Sequence, residues 1–183
     1  FGKGMANGFS VAALAGKKEI MELGGIRETG KERTFLLSST HGAEMSSLGA
    51  FLEVTKIYET EDVSKRLWSI GSKFVAAMKN EVKLSGLENY ISFEGPSIAP
   101  VFLCKDNNLE TSPAYRTLFC HEMMNSRVMM PWLAFSTSHG ERELELTLSA
   151  LRKTCEQYEK SLDNNDGTAS FGQKLKPVFR KYN

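Results

Sequence analysis

The 183-residue chain lacks the features that mark several classes of protein. Its net charge is only +1, so it has neither the basic excess typical of nucleic-acid binding nor an acidic tail. No apolar run approaches the ~20 residues that cross a bilayer. Three cysteines, Cys104, Cys120 and Cys155, are an odd number without C-x-x-C spacing. They predict reduced, mostly buried thiols in a cytoplasmic protein. The balanced charge and the lack of a long apolar run predict no nucleic-acid partner and no membrane partner.

Familiar catalytic motifs are also missing. The sequence contains no H-E-x-x-H, no paired Cys/His ligand set and no G-x-S-x-G, so we predict no metal site. The Gly2-Lys3-Gly4 turn is not a nucleotide-hydrolase phosphate loop, which needs four residues between its glycines and a Ser or Thr after the lysine. An initiator methionine and a signal-peptide pattern are absent too. We therefore expect that an N-terminal part of the protein precedes Phe1.

The spacing of apolar residues predicts an α/β segment followed by a smaller α+β domain. The boundary falls near Thr60, which gives domains at residues 1–59 and 60–183. Ser112-Pro113 and Ser85-Gly86 predict a helix start and a helix end. Ser138 and Glu141 have the spacing of a capping box, and His139 is interpreted as a capping residue. Strands are predicted at 11–15, 34–38, 90–93, 98–103 and 129–134, and helices at 17–23, 43–59, 61–85, 112–125 and 138–162.

Two turns could carry chemistry. Lys3 stands between two glycines, which let the backbone take tight turns and let a ligand approach closely; the alternative is an ordinary solvated lysine. Ser39 and Thr40 join a predicted strand to a predicted helix, where free N–H groups and two hydroxyls suit a phosphate. The alternative for these hydroxyls is that they only cap the helix.

Together these turns and the α+β remainder resemble the C-terminal part of class III aminotransferases, which are pyridoxal-phosphate enzymes of fold type I. Within that class the chain is most similar to the glutamate-1-semialdehyde 2,1-aminomutase group. The resemblance rests on FGKGMANG at the start with AALAG after it, on SSTHG at 38–42, and more weakly on FSTSHGERE at 135–143. It covers roughly residues 1–162, so the end of the large α/β domain and the small C-terminal domain are expected.

The resemblance implies a role for three residues. Lys3 would be the Schiff-base lysine that holds pyridoxal 5'-phosphate (PLP), and Thr40, with Ser39, would contact the cofactor phosphate. In the family this threonine reaches the cofactor of the neighbouring subunit, so a homodimer is implied. The substrates would be a small amino donor and a carbonyl compound. The remaining pocket residues are expected upstream of Phe1, so we predict that this chain alone is inactive.

Three functions stay open on the sequence. The first is an aminotransferase that passes an amino group between two molecules. The second is an aminomutase, such as glutamate-1-semialdehyde 2,1-aminomutase, that returns the group to the same molecule. Both use the same lysine, so Lys3 cannot separate them. The third is a non-catalytic α+β module in which Lys3 is a surface residue.

Overall fold

The computed structural model describes residues 1–25, 29–34, 42, 44–164 and 175. The chain divides into two compact units, Phe1–Val63 and Ser64–Asn183. None of the helices formed by the described residues is long and apolar enough to span a membrane. The assignment of residues 1–59 to the end of a cofactor-binding domain, and of 60–183 to a small C-terminal domain, stays a prediction.

The first unit consists of short turns and one long helix. It contains a 3₁₀ turn at Lys3–Met5, helix α1 at Lys18–Met21, a 3₁₀ turn at Glu22–Gly24 and helix α2 at Met45–Thr60. Helix α2 packs against the Lys3–Met5 turn.

The strand predicted at 11–15 was wrong, because these residues form no strand and four of the five are exposed. A strand needs a ladder of backbone partners, whereas the backbone bonds of Ala13 to the residues that the structure describes go to Phe1 alone. Of the strand predicted at 34–38, all but Thr34 lies outside the described residues.

The second unit is an α+β structure around a two-stranded sheet. Its elements are α3 at Val63–Leu84, β1 at Ile91–Glu94, β2 at Val101–Cys104, α4 at Pro113–Asn125 and α5 at Glu141–Asn164. The strands are antiparallel, with Ile91 opposite Cys104 and Glu94 opposite Val101. Helix α4 packs against both β2 and α5.

The core of this unit forms where the helices cover the sheet. Its fully buried large side chains come from both strands and three helices: Met78, Phe93, Phe102, Phe119, Met123, Leu151 and Tyr158. The four-and-three spacing predicted for α5 is confirmed, because Leu144, Leu151, Cys155 and Tyr158 are buried on one face of this helix.

Local signals at two helix ends are also confirmed. Helix α4 begins at Pro113, and the Ser112 hydroxyl accepts a bond from the Tyr115 N–H at 3.4 Å. After α3 the chain turns at Gly86, which has φ +70°. There the Leu87 N–H donates to the Val82 carbonyl at 3.0 Å, and the Gly86 N–H donates to the Lys83 carbonyl at the same distance. This is a glycine-dependent helix stop, and it directs the chain towards β1.

The strand predicted at 129–134 was wrong as well. This segment has no strand structure, yet Met130 and Leu133 are buried in the core. Pro131 has no N–H to offer a sheet. Its carbonyl accepts instead from Arg116 Nη2 at 2.8 Å. Side-chain contacts, rather than the backbone bonds of a sheet, therefore hold this segment.

A glycine on α3 allows the loop after β1 to lie directly on the helix. A Cβ added at Gly71 would stand 2.3 Å from the Ser97 carbonyl oxygen. We expect Gly71→Ala to lower the free energy of unfolding by about 1–3 kcal/mol, as overpacked sites do, measured by urea denaturation with circular dichroism. Gly49→Ala on α2 is the control, because a Cβ there meets nothing within 4 Å. It should be neutral or stabilising by up to ~1 kcal/mol. Equal midpoints for the two variants would contradict the close approach.

Candidate active site

Backbone bonds close the loop that carries Lys3. The Phe1 nitrogen donates to the Ala13 carbonyl at 2.8 Å, and the Ala13 N–H donates back to the Phe1 carbonyl at 3.0 Å. Inside this loop the Met5 N–H donates to the Gly2 carbonyl at 3.3 Å. The main chain on both sides of Lys3 is thereby fixed, so the origin of its side chain is fixed too.

Lys3 itself has an unusual backbone conformation. Its φ is +49°, in the left-handed region that residues other than glycine rarely occupy. Such a conformation costs on the order of 1–3 kcal/mol and is concentrated at functional sites. The Lys3 side chain is exposed, and a Cβ added at the neighbouring Gly4 would meet nothing within 4 Å. An exposed amine can receive an aldehyde, which is what the predicted role in holding PLP requires.

The predicted phosphate contacts cannot be placed beside Lys3. Ser39 and Thr40 both lie outside the described residues, so their roles stay predictions. The helix that follows them in sequence, α2, does pack against the Lys3–Met5 turn. Two segments of the predicted site, the lysine turn and the helix after the threonine turn, thus lie together in the first unit.

The third matching segment forms the entrance to α5. The prediction of a capping box from Ser138 to Glu141 was wrong. Gly140 precedes the helix, its carbonyl accepts from the Leu144 N–H at 3.1 Å, and its N–H donates to Glu143 Oε2 at 2.9 Å. The bond between Gly140 and Glu143 has the three-residue spacing predicted for Ser138 and Glu141, but it lies two residues further along the chain. Glycine therefore occupies the cap position. Glu141 instead forms an ion pair with Lys73 of α3.

His139 does not cap α5 either. Its Nδ1 lies 2.9 Å from both the backbone nitrogen and the hydroxyl of Ser136. The ring is half-buried and stands edge-on to Phe74 and Phe135, with centroid distances of 5.9 and 6.0 Å. His139 therefore stabilises the turn before the helix.

A hydrogen bond and burial shift the pKa values of several side chains in the second unit. The bond from the Gly140 N–H lowers the pKa of the Glu143 carboxyl. Burial raises the pKa of the Cys155 thiol to about 11 and also raises the pKa values of Cys104 and Cys120. All three cysteines are free and buried, as predicted, and are not thiolate nucleophiles near neutral pH. The described residues contain no group of three His, Cys, Asp or Glu that could hold a metal ion.

Arg116 joins three parts of the second unit, and no sequence motif marks this residue. Its Nη1 donates to the Phe102 carbonyl at 2.9 Å and its Nη2 donates to the Pro131 carbonyl. The guanidinium carbon lies 4.0 Å from the centroid of the Phe102 ring. This side chain links α4, β2 and the segment after α4, so its role is structural.

Glu143 gives a pH-dependent test of the α5 cap. The folded-state pKa is lowered, so the bond to Gly140 stabilises the fold above the ordinary carboxyl pKa and weakens as pH falls through the lowered value. We expect Glu143→Ala to reduce the urea midpoint at neutral pH, with a difference from the unsubstituted chain that shrinks in acid. Glu145→Ala, at an exposed glutamate of the same helix, should show no such pH-dependent difference. An effect of Glu143→Ala that is constant with pH would contradict the assignment.

Comparison with known proteins identifies relatives by sequence. No protein-family model matches the chain. The 3-aminobutyryl-CoA aminotransferase of Cloacimonas acidaminovorans is 26% identical over 167 residues, which cover 88% of this chain and 38% of that protein. Glutamate-1-semialdehyde 2,1-aminomutase of Thermus thermophilus is 25% identical and is covered to 37% of its length, with 83% of this chain. The chain thus spans less than two fifths of the curated relatives it matches.

Solved structures agree in fold. A transaminase with PLP bound matches 88% of this chain and 38% of its own, with a TM-score of 0.71 and 15% identity. An omega-transaminase from Sphaerobacter thermophilus matches 86% of this chain and 38% of its own, with a TM-score of 0.69 and 18% identity. These matches confirm the predicted fold class, the C-terminal part of a fold type I PLP-dependent transferase. The sequence matches confirm the resemblance to aminotransferases and aminomutases.

Proposed function

We propose that the protein containing this chain is a class III PLP-dependent aminotransferase, and that Lys3 is its Schiff-base lysine. The observation that carries this proposal is the Lys3 turn: a lysine with φ +49° and an exposed side chain, between two glycines, in a loop closed by bonds between Phe1 and Ala13. An ordinary surface lysine needs none of these constraints. The similarity to an aminotransferase and to aminomutases supports the same role.

The residues of this chain would contribute position and proton transfer. When bound, PLP supplies an aldehyde for amines and a ring that accepts an electron pair. Lys3 Nζ would hold PLP through that aldehyde, and as a free amine Lys3 would take the proton from the substrate carbon. The closed loop fixes the starting point of this side chain, which reduces the conformational freedom lost on reaction.

We further propose a cytoplasmic homodimer that acts on a small amino donor and a carbonyl substrate. Ser39 and Thr40 would bind the cofactor phosphate, with Thr40 serving the site of the partner subunit. The buried free cysteines are consistent with a reducing compartment. An aminomutase activity is the second candidate, because two curated relatives are glutamate-1-semialdehyde 2,1-aminomutases.

The role of Lys3 is tested in the full-length protein that contains this chain. We expect the purified protein with PLP to show the visible absorbance of a lysine-bound cofactor, and Lys3→Ala to lose this band and at least about 100-fold in activity. Lys17→Ala, at another exposed lysine of the first unit, should retain both. Unchanged activity in Lys3→Ala would remove this residue from the mechanism and favour the non-catalytic module.

Dependence on an external donor separates the two candidate reactions. An aminotransferase starting with PLP requires an amino donor and converts it stoichiometrically to a carbonyl product. A mutase returns the amino group to the same molecule, so it turns over without a net donor. We expect donor dependence. Turnover of an amino-carbonyl substrate alone, with no second product, would instead establish the mutase.

Mixed dimers test the proposed role of Thr40. Lys3→Ala and Thr40→Val homodimers each carry a defect in both sites. If Thr40 serves the partner's site, a mixed dimer has one site with both defects and one intact site, so activity returns. If Thr40 serves its own subunit, both sites of the mixed dimer stay defective and activity does not return. We expect restoration on co-expression with two different affinity tags and purification of the mixed species.

A further inference from the structure

The outer side of α4 carries a buried threonine, Thr117. Two residues further along, the Phe119 ring packs on Phe102 of β2 with centroids 4.9 Å apart. Because successive residues of an α-helix turn by about 100°, Thr117 lies roughly 200° round the helix from Phe119, on the side away from the sheet. Thr117 is nevertheless only 8% exposed, whereas Pro113 and Met124 on the same side are exposed. The outer side of α4 is therefore covered at Thr117 and open towards both ends of the helix.

The Thr117 hydroxyl has two partners that use it in opposite ways. The hydroxyl donates to the Pro113 carbonyl at 2.7 Å, and a carbonyl can only accept, so the single hydroxyl proton lies there. The Leu175 N–H donates to the same hydroxyl oxygen at 2.8 Å. A hydroxyl can donate once and accept twice, so both bonds form together. Leu175, from the chain beyond α5, thus brings a backbone donor to the outer side of α4.

The end of α5 lies close enough to supply this segment from the same chain. The Tyr115 hydroxyl of α4 donates to the Ser161 carbonyl at 3.2 Å, and α5 ends three residues later at Asn164. Leu175 follows Asn164 by 11 residues, which can span up to about 35 Å when extended. Two packed helices lie only about 10 Å apart. No second copy of the chain is therefore needed to bring Leu175 to Thr117.

The contact can open without leaving the buried hydroxyl unpaired. If Leu175 departs, the Thr117 hydroxyl keeps its bond to Pro113, and Leu175 is already 44% exposed. We propose that the outer side of α4 at Thr117 is a reversible docking surface for the C-terminal segment of the same chain, held through the Leu175 N–H. This segment follows residue 162, where the resemblance to class III aminotransferases ends, and its docking is independent of the proposed role of Lys3.

Hydrogen exchange and limited proteolysis of the 183-residue chain test the docking. The Leu175 amide should exchange about five- to tenfold more slowly than in the unfolded chain, as expected for one hydrogen bond. Trypsin cuts after lysine, and the peptide bond after Lys174 carries the same N–H, so this bond should be cut correspondingly slowly. Lys176 precedes Pro177, so trypsin does not compete there. Both measurements should be independent of chain concentration, because the segment belongs to the same chain.

Three variants isolate the hydroxyl. Thr117→Val keeps a side chain of similar shape but removes the acceptor, so the Leu175 amide should lose its protection and cutting after Lys174 should rise about five- to tenfold. Thr117→Ser keeps the hydroxyl and should retain both properties. Thr147→Val on α5 is the matched control, because the Thr147 hydroxyl also donates to the carbonyl four residues earlier, that of Glu143, at 2.7 Å. It should leave Leu175 unchanged.

The proposal is overturned if the Leu175 amide of the unsubstituted chain exchanges as fast as in the unfolded chain, a result that requires no variant to fold. It is also overturned if Thr117→Val and Thr147→Val affect Leu175 equally, or if Thr117→Ser loses as much protection as Thr117→Val. Protection that rises with chain concentration would assign the docked segment to a second copy and overturn it too. Cutting after Lys79, within α3, reports unfolding of the whole unit and distinguishes it from local release of the segment.

Discussion

Burial of the apolar face of α5 is the constraint on which the second unit depends. Leu151 and Tyr158 are completely buried, and the Tyr158 ring packs on Tyr115 of α4 with centroids 4.9 Å apart. The Tyr115 hydroxyl donates to the Ser161 carbonyl at 3.2 Å, and the Tyr158 hydroxyl donates to the Lys105 carbonyl. Apolar burial and satisfied hydroxyls therefore hold α4, α5 and the chain after β2 in one arrangement.

The first unit is held differently. Within its described part, large apolar side chains are largely exposed: Phe9, Leu14, Ile20, Met45, Leu52 and Ile57 are each at least 42% accessible. The Lys3 turn is fixed by backbone bonds and by packing of α2, with Ala6 as a buried contact point. A lysine that must reach a ligand is better placed on such a turn than in a packed core, because its amine remains accessible.

Features that depend on neighbouring residues were predicted better than features that depend on partners distant in the sequence. Ser112-Pro113, the stop at Gly86 and the periodicity of α5 depend on neighbouring residues, and all three were predicted from the sequence. The strands at 11–15 and 129–134 were wrong because a strand depends on a partner that the segment itself does not encode. The cap at Gly140 was missed because Ser138 and Gly140 each have a glutamate three residues later. Lys3 was selected by its glycines, but its positive φ was not foreseen.

Peptide mapping tests whether Lys3 forms the proposed covalent bond to PLP. The full-length protein is incubated with PLP, reduced with borohydride so that the imine becomes a stable secondary amine, digested, and analysed by mass spectrometry. We expect one stoichiometrically modified lysine, in the peptide that contains Phe1–Gly8, with the modification on Lys3. Stoichiometric modification of any other lysine, with Lys3 unmodified, would contradict it.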